Sequence, residues 1–308
     1  MSLDLSVIVP TLNEGKYIGF CLKALANQTL PREKYEIILV DSYSNDNTVK
    51  ISEKYVDKIV FVPRNGPGYA RNVGAKIANG RILVFIDADT VASKDLLEKI
   101  LRAFTDDKIV GGTCFYHPDS TRLFDRFIYI TANNLTKLCD MLFLRNIAAV
   151  PGFICFIRKD VFEDIGGFDE SLTIFEDHDL GIRMKKKGKI IYLDETYVMT
   201  SIRRNKALGY SRIIPLYIYV HLVSLLGKPP KIYYPAIRTE KPLHVNNTYP
   251  FLPTKRIILT TMFFAVCLAL LLLLSPQKLL DYALYLFYLL KSLKHSFLKS
   301  YTSKSVNL

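Results

Sequence analysis

The chain has 308 residues, carries a formal net charge of +12 and has a pI near 9.3. That length supports one large domain, or one domain with an appendage, without needing disulfides to hold the core. Five scattered cysteines (Cys21, Cys114, Cys139, Cys155 and Cys267) form no CxxC pair, which argues against a disulfide framework or a structural zinc site. The basic residues are spread out and no nucleic-acid motif accompanies them. Many flank apolar segments in the C-terminal half, which favours an anionic membrane surface over nucleic acid.

Along the first third, apolar runs at Leu5–Val9, Tyr35–Val40, Ile59–Val62, Ile82–Ile86 and Ile109–Cys114 read as strands. The first of them, in "LSVIVP", is too short for a signal peptide. Between the strands, Tyr17–Ala26, Thr48–Tyr55, Tyr69–Ala78 and Asp95–Phe104 have helical spacing. Near-continuous apolar strands alternating with helices predict an α/β fold with a mostly parallel sheet flanked by helices. Ligands in such folds sit beyond the carboxyl ends of the strands. Polar residues collect there, in "PTLNEG", "DSYSNDNT" and "DADT".

Further on, residues 121–145 read as a helix and "AVPGFICFIRKDVF" as a strand entering a helix. A carboxylate-rich turn, "GGFDESLTIFEDHD", then leads into a basic helix, and "IIYLDET" reads as a last short strand. After Arg204 the character changes. Ile213–Leu226 suits a buried or interfacial helix, and residues 227–256 form a proline-rich basic loop. Ile257–Leu274 has 18 residues without a charge and would reach roughly 27 Å as a helix, close to the hydrocarbon thickness of a bilayer. The apolar run Leu279–Leu290 follows a Ser275–Pro276 break. Lysines and arginines flank both sides, so the positive-inside rule predicts a hairpin or an interfacial second helix, with both flanks and the N-terminal domain on the cytoplasmic side. Three segments result: a domain at 1–204, an interfacial helix and loop at 205–256, and a membrane-associated helical segment at 257–308.

The run "ILVFIDADT" ends in two aspartates, Asp87 and Asp89. In an extended chain, residues two apart point the same way, about 6.6 Å from each other. Two carboxylates on one side are unfavourable without a cation, and hard divalent ions take such oxygen ligands. The competing reading is a helix cap by Asp89 or Thr90. Asp41 has a similar alternative, as a turn-former before Ser42.

The ordered set "VIVPTLNEG", "ILVDSYSNDNT", "GPGYARNVGAKIANG", "DADT", "GGFDE" and "FEDHDLGIRMKKKG" resembles the family 2 glycosyltransferases, inverting enzymes with the GT-A fold. The resemblance covers about Ser6 to Arg204. It implies that the loop containing Pro10, Leu12 and Glu14 holds the donor nucleotide, with Asp41 at the base and Arg71 near the base or diphosphate. Asp87 would contact the ribose or the metal, and Asp89 would be the main protein ligand of Mg2+ or Mn2+. Asp177, in the "ED" pair with Glu176, would be the catalytic base; Asp179 suits a helix cap better. Arg203 and Arg204, in "TSIRRNKALGY", could clamp the departing diphosphate or contact lipid headgroups. The chain has no tryptophan, so the Gln-x-x-Arg-Trp element of processive synthases is absent.

The implied partners are a nucleotide-sugar donor, the bilayer and a membrane acceptor such as a polyprenyl phosphate or lipid-linked glycan. A soluble or cell-envelope glycan hydroxyl is the alternative acceptor. A non-catalytic membrane scaffold is a further alternative, disfavoured by the intact aspartates.

Overall fold

The computed structural model describes residues 3–141, 151–172 and 174–217. The chain divides into two compact units, and the described part of the first ends at Gly209. In the second, residues 210–217 are described and are helical. The expected membrane segment at 257–308 and the loop at 227–256 lie outside the described residues. Among the described residues, no helix is long and apolar enough to cross a membrane.

The first unit is built on eight strands: β1 (Leu5–Thr11), β2 (Tyr35–Asp41), β3 (Lys58–Phe61), β4 (Ile82–Ile86), β5 (Thr90–Ala92), β6 (Ile109–Pro118), β7 (Ile154–Arg158) and β8 (Lys189–Thr200). They form one sheet in the order β3-β2-β1-β4-β7-β6-β8-β5. Helices connect them: α1 (Ile18–Ala26), α2 (Thr48–Ser52), α3 (Pro67–Ile77), α4 (Leu96–Ala103), α5 (Leu123–Met141), α6 (Lys159–Asp164), α7 (Glu176–Lys185) and α8 (Arg203–Leu208).

The half comprising β3, β2, β1 and β4 is parallel, as the apolar runs predict. The other half is not. β7 runs antiparallel to both β4 and β6, and β5 runs antiparallel to β8. The sheet is therefore mixed, which corrects the mostly parallel expectation. The cause is physical: a buried apolar run records that a strand is covered on both faces, not which way it points. The last strand is also longer than "IIYLDET". β8 continues to Thr200 with an alternating buried and exposed pattern, and its far end pairs with the three-residue β5.

Alternation along the strands divides the core in two. Val7, Val9, Ile37, Leu39, Val84 and Ile86 face one side, together with residues of α1 and α4. Ile8, Ile38, Val40, Leu83 and Phe85 face the other, with residues of α3 and α7. Helix α3 lies very close to the sheet. A Cβ at Gly74 would stand 2.5 Å from Ile8 Cγ2, so only glycine allows that approach. This seating fixes Arg71, one turn earlier on α3, over the strand ends. Antiparallel β7 then brings the chain just before it to the end of β4, where Asp87 N–H donates to Phe153 O at 3.3 Å.

Candidate active site

Two loops make the floor of the site, one after β1 and one after β2. Asn13 N–H donates to Ser44 Oγ at 2.8 Å, and Asn45 N–H returns a bond to Asn13 Oδ1 at 2.9 Å. Glu14 N–H donates to Thr48 Oγ1, while Gly15 N–H and Thr48 N–H both donate to Asp46. Asp41 is fully buried at the end of β2. Its carboxylate accepts from Thr11 Oγ1 at 2.9 Å and from both the Ser44 N–H and hydroxyl. Beside it, the rings of Tyr43 and Phe61 stack at 5.8 Å and are largely exposed. The zipper residues Asn13, Ser44, Asp46 and Thr48 were not singled out from sequence, although the density of polar residues in "DSYSNDNT" marks them.

Asp87 and Asp89 are not the side-by-side pair that an extended strand would give. Thr90 N–H bonds Asp87 O at 3.0 Å and closes a turn immediately after β4. The two carboxylates are consequently engaged by different arginines: Asp87 by Arg71 at 2.8 Å, Asp89 by Arg203 at 3.1 Å.

Arg71 is 2% exposed. Its guanidinium bonds Asp87, Glu176 at 2.7 Å and Gly152 O at 3.0 Å, and lies over the Phe168 ring. Burial alone would lower its proton affinity, but the charges of Asp87 and Glu176 raise it, so it is a permanent cation. It works as an internal strut joining the end of β4 to the start of α7. Arg203 makes a second strut. It holds Glu14 through two bonds, at 2.6 and 2.7 Å, reaches Asp89, and lies over the Tyr17 ring. The first loop, the β4 turn and the start of α8 thus meet on one guanidinium. Pro10 is the half-buried residue of β1, before the buried Thr11, and Leu12 follows the strand.

Asp89 is only partly exposed, and its carboxyl is pushed up to about 6 by desolvation and by the charges of Asp87 and Glu14, against the opposing pull of Arg203 and Arg204. A carboxyl raised in this way despite its arginine would be favoured in its charged form by a divalent cation. Among the described residues, no cluster of three or more acidic, histidine or cysteine side chains is placed to hold a metal. Asp89 and Asp87, each already paired with an arginine, would be the protein's share of such a site. That fits Mg2+ or Mn2+, which complete their shells with substrate phosphates and water.

Asp177 lies in the first turn of α7, next to the Glu176 that Arg71 holds. Its carboxylate accepts the N–H of His178 and, among the described residues, has no cationic partner within salt-bridge distance. It packs so closely on Gly152 that a Cβ there would sit 2.8 Å from Oδ2. Burial, reinforced by the neighbouring Glu176 and only partly countered by Arg71, pushes its carboxyl up to about 7. Asp179 does not cap the helix. The cap position is Phe175, and Asp179 instead pairs with Arg183 at 2.6 Å, one turn on. Arg183 in turn bonds the carbonyls of Ile165 and Gly167. Among the described residues, the non-glycine residues with positive φ are Asn13, Tyr43 and Phe175. They sit in the two floor loops and immediately before Glu176. Backbone strain of this kind concentrates where geometry is functionally constrained.

The sheet is mixed α/β, and its acidic side chains collect beyond the ends of β1, β2 and β4, where such sheets take their ligands. Residues 6–166 match the family model described as glycosyl transferase family 2, and the chain belongs to that family. It is 31% identical over 176 residues to glycosyltransferase AglE of Haloferax volcanii, covering 54% of this chain and 56% of that protein. It is 40% identical over 111 residues to the poly(ribitol-phosphate) beta-N-acetylglucosaminyltransferase TarS of Staphylococcus aureus, covering 34% of this chain and 19% of that one. The match thus spans about half the length of the first relative and about a fifth of the second.

Among solved structures, residues 1–349 of S. aureus TarS with UDP-GlcNAc align with a TM-score of 0.54 at 23% identity, over 73% of this chain and 67% of that one. The mannosyltransferase PcManGT from Pyrobaculum calidifontis, with GDP-Man and Mn2+, aligns with a TM-score of 0.55 at 22% identity, over 75% and 66%. At these identities the likeness establishes the fold.

Proposed function

We propose that this protein is an inverting glycosyltransferase that moves a sugar from a nucleotide-diphosphate donor to a hydroxyl of a membrane-associated, lipid-linked glycan. The observation that carries the reading is the contrast within one acidic site. Asp87 and Asp89 are held by arginines at the end of β4, while Asp177, its proton affinity raised like that of Asp89, has no cation within salt-bridge distance among the described residues. A base titrating near the working pH is suited to take a proton from an attacking hydroxyl.

In this account Asp41 and the loop from Pro10 to Glu14, with Leu12, receive the nucleotide, and the exposed Tyr43–Phe61 pair offers a flat face next to Asp41. Asp89 and Asp87 would hold a divalent cation, which would supply positive charge to the diphosphate. Arg203, once released from Asp89, and Arg204 beside it face the same anion. Arg71 and Glu176 keep Asp177 in register with the donor. The acceptor hydroxyl gives its proton to Asp177 as its oxygen bonds C1, and the C1–O bond electrons leave with the diphosphate. A single displacement of this kind inverts C1.

The membrane location, with the catalytic domain cytoplasmic, rests on the charge-free run Ile257–Leu274 and its basic flanks. A polyprenyl phosphate is the second reading of the acceptor, favoured by the adjacent Arg203 and Arg204. It is already an anion and needs no base.

The test is calorimetric titration of the purified protein with UDP and GDP, with and without Mn2+, followed by transfer from the donor that binds. Metal-dependent diphosphate binding together with transfer to a lipid-linked glycan is expected. No metal-dependent binding of either diphosphate would refute the transferase reading.

A further inference from the structure

Helix α5 leaves large apolar side chains outside while burying polar ones. On the face toward β6, Tyr129 and Ala132 pack on the core, and polar side chains are buried beside them. Asn133 is fully buried, donates to Tyr116 O and Tyr129 O and accepts Tyr116 N–H and the Tyr192 hydroxyl; Asp125 is buried and accepts the Ser120 hydroxyl. The outer face carries Leu123, Phe127 and Ile130, which are 82%, 63% and 48% exposed. They fall at i, i+4 and i+7, so they form one stripe along the helix. A helix in water arranges these residue types the other way round. The exposed charges on the same stretch, Arg122 and Arg126, are both positive, because the one acid, Asp125, is turned inward. Neither arginine pairs with a carboxylate among the described residues.

We propose that the outer face of α5 lies on the surface of an anionic bilayer, with Leu123, Phe127 and Ile130 entering the acyl boundary and Arg122 and Arg126 meeting lipid phosphates. An apolar stripe edged by cations is what an interfacial helix presents to such a surface. A second copy of the chain is a poorer occupant, since a two-fold contact would bring arginines against arginines. The inference deepens the membrane-bound acceptor reading and rests on it. Lipid contact through α5 would turn the catalytic unit toward the bilayer from a second place, independent of the C-terminal apolar run.

The chain contains no tryptophan, so Phe127→Trp introduces a single, unambiguous fluorophore at an exposed position. The full-length variant is reconstituted into vesicles of phosphatidylcholine with phosphatidylglycerol whose acyl chains carry bromine. The emission of Trp is expected to shift to the blue and to be largely quenched by the brominated chains. Lys50→Trp, at an exposed site on α2, should do neither. Adding Arg122→Glu and Arg126→Glu to Phe127→Trp should restore most of the lost emission, and vesicles without phosphatidylglycerol should quench less.

Water-exposed emission that iodide quenches equally with and without vesicles would overturn the proposal, as would equal quenching in anionic and neutral vesicles. A blue shift without lipid would also overturn it: one that grows with protein concentration would assign the face to a second copy, and one that does not would assign it to the chain's own apolar segments. Leu123→Trp repeats the measurement should Phe127→Trp fold poorly. Lipid quenching in an enzyme that glycosylates only soluble acceptors would sink the acceptor reading and leave the bilayer contact standing.

Discussion

The carboxylates at the end of β4 and the carboxylate at the start of α7 belong to one site but are treated in opposite ways. Asp87 and Asp89 each meet an arginine, and Glu14 shares the second of these. Asp177 stands beside a negative charge, Glu176, whose own arginine it does not share within salt-bridge distance. The arginines hold Asp87 and Asp89 in position, and Arg203 pulls against the burial that raises Asp89, which is what holding a cation and a diphosphate would need. A buried carboxylate denied a cation holds its proton more tightly, which is what accepting a proton near neutral pH needs. One protein fold thus obtains two chemistries from the same residue type by the placement of two guanidinium groups.

That contrast can be broken at either end. The largest effect is expected on the α7 side. Asp177→Asn should lower the rate of transfer to a hydroxyl acceptor by about 10³-fold, while calorimetry shows diphosphate binding little changed. On the β4 side, Asp89→Ala should weaken Mn2+-dependent diphosphate binding by about 10²-fold or more, read in the same titration.

Arg71→Leu tests the strut between the two ends. It strands the buried Glu176 without its cation and should cost about 3–5 kcal/mol in urea unfolding. Glu176→Gln, which keeps a partner for Arg71, should cost less.

The pH dependence of stability sharpens the same contrast. Asp177 keeps in the folded protein a proton that the unfolded chain sheds, since its carboxyl rises from 3.8 to about 7 on folding. Its contribution to stability therefore falls as pH rises through that window and levels off above it. Asp177→Asn should consequently raise Tm more at pH 8 than at pH 4. The smallest effect is expected away from the carboxylates that do chemistry. Asp46→Ala removes acceptors for Gly15 and Thr48 and should cost about 1–2 kcal/mol, seen as a modest fall in Tm.

Much of the parallel half was legible in the sequence because β1, β2 and β4 are buried on both faces and uninterrupted. β4 falls at Ile82–Ile86 in both the reading and the structure, and β1 and β2 differ from it only at their polar ends. The other half was less legible. β8 is half exposed beyond Leu193, so its apolar signal fades before the strand does, and β5 is too short to carry a pattern. The chemistry-bearing residue types were visible as motifs, and the structure gathers Glu14, Asp41, Arg71, Asp87, Asp89, Asp177 and Arg203 around the ends of β1, β2 and β4. Their partnerships were not visible. Arg71 meets a residue 105 positions away and Arg203 one 189 positions away. No local spacing encodes such pairs. The turn that separates Asp87 from Asp89 was hidden for a different reason: DxD is compatible with both an extended end and a tight turn, and the choice depends on where β5 finds β8.

The account stands most directly on the pH dependence of kcat/KM for transfer to a hydroxyl acceptor, measured for the wild type and for Asp177→Asn with saturating Mn2+. The expected wild-type profile rises through about pH 7 as Asp177 loses its proton, and the slow residual rate of Asp177→Asn lacks that limb. The same limb near pH 7 in Asp177→Asn, or transfer by that variant at the wild-type rate, would contradict the assignment of Asp177 as the base.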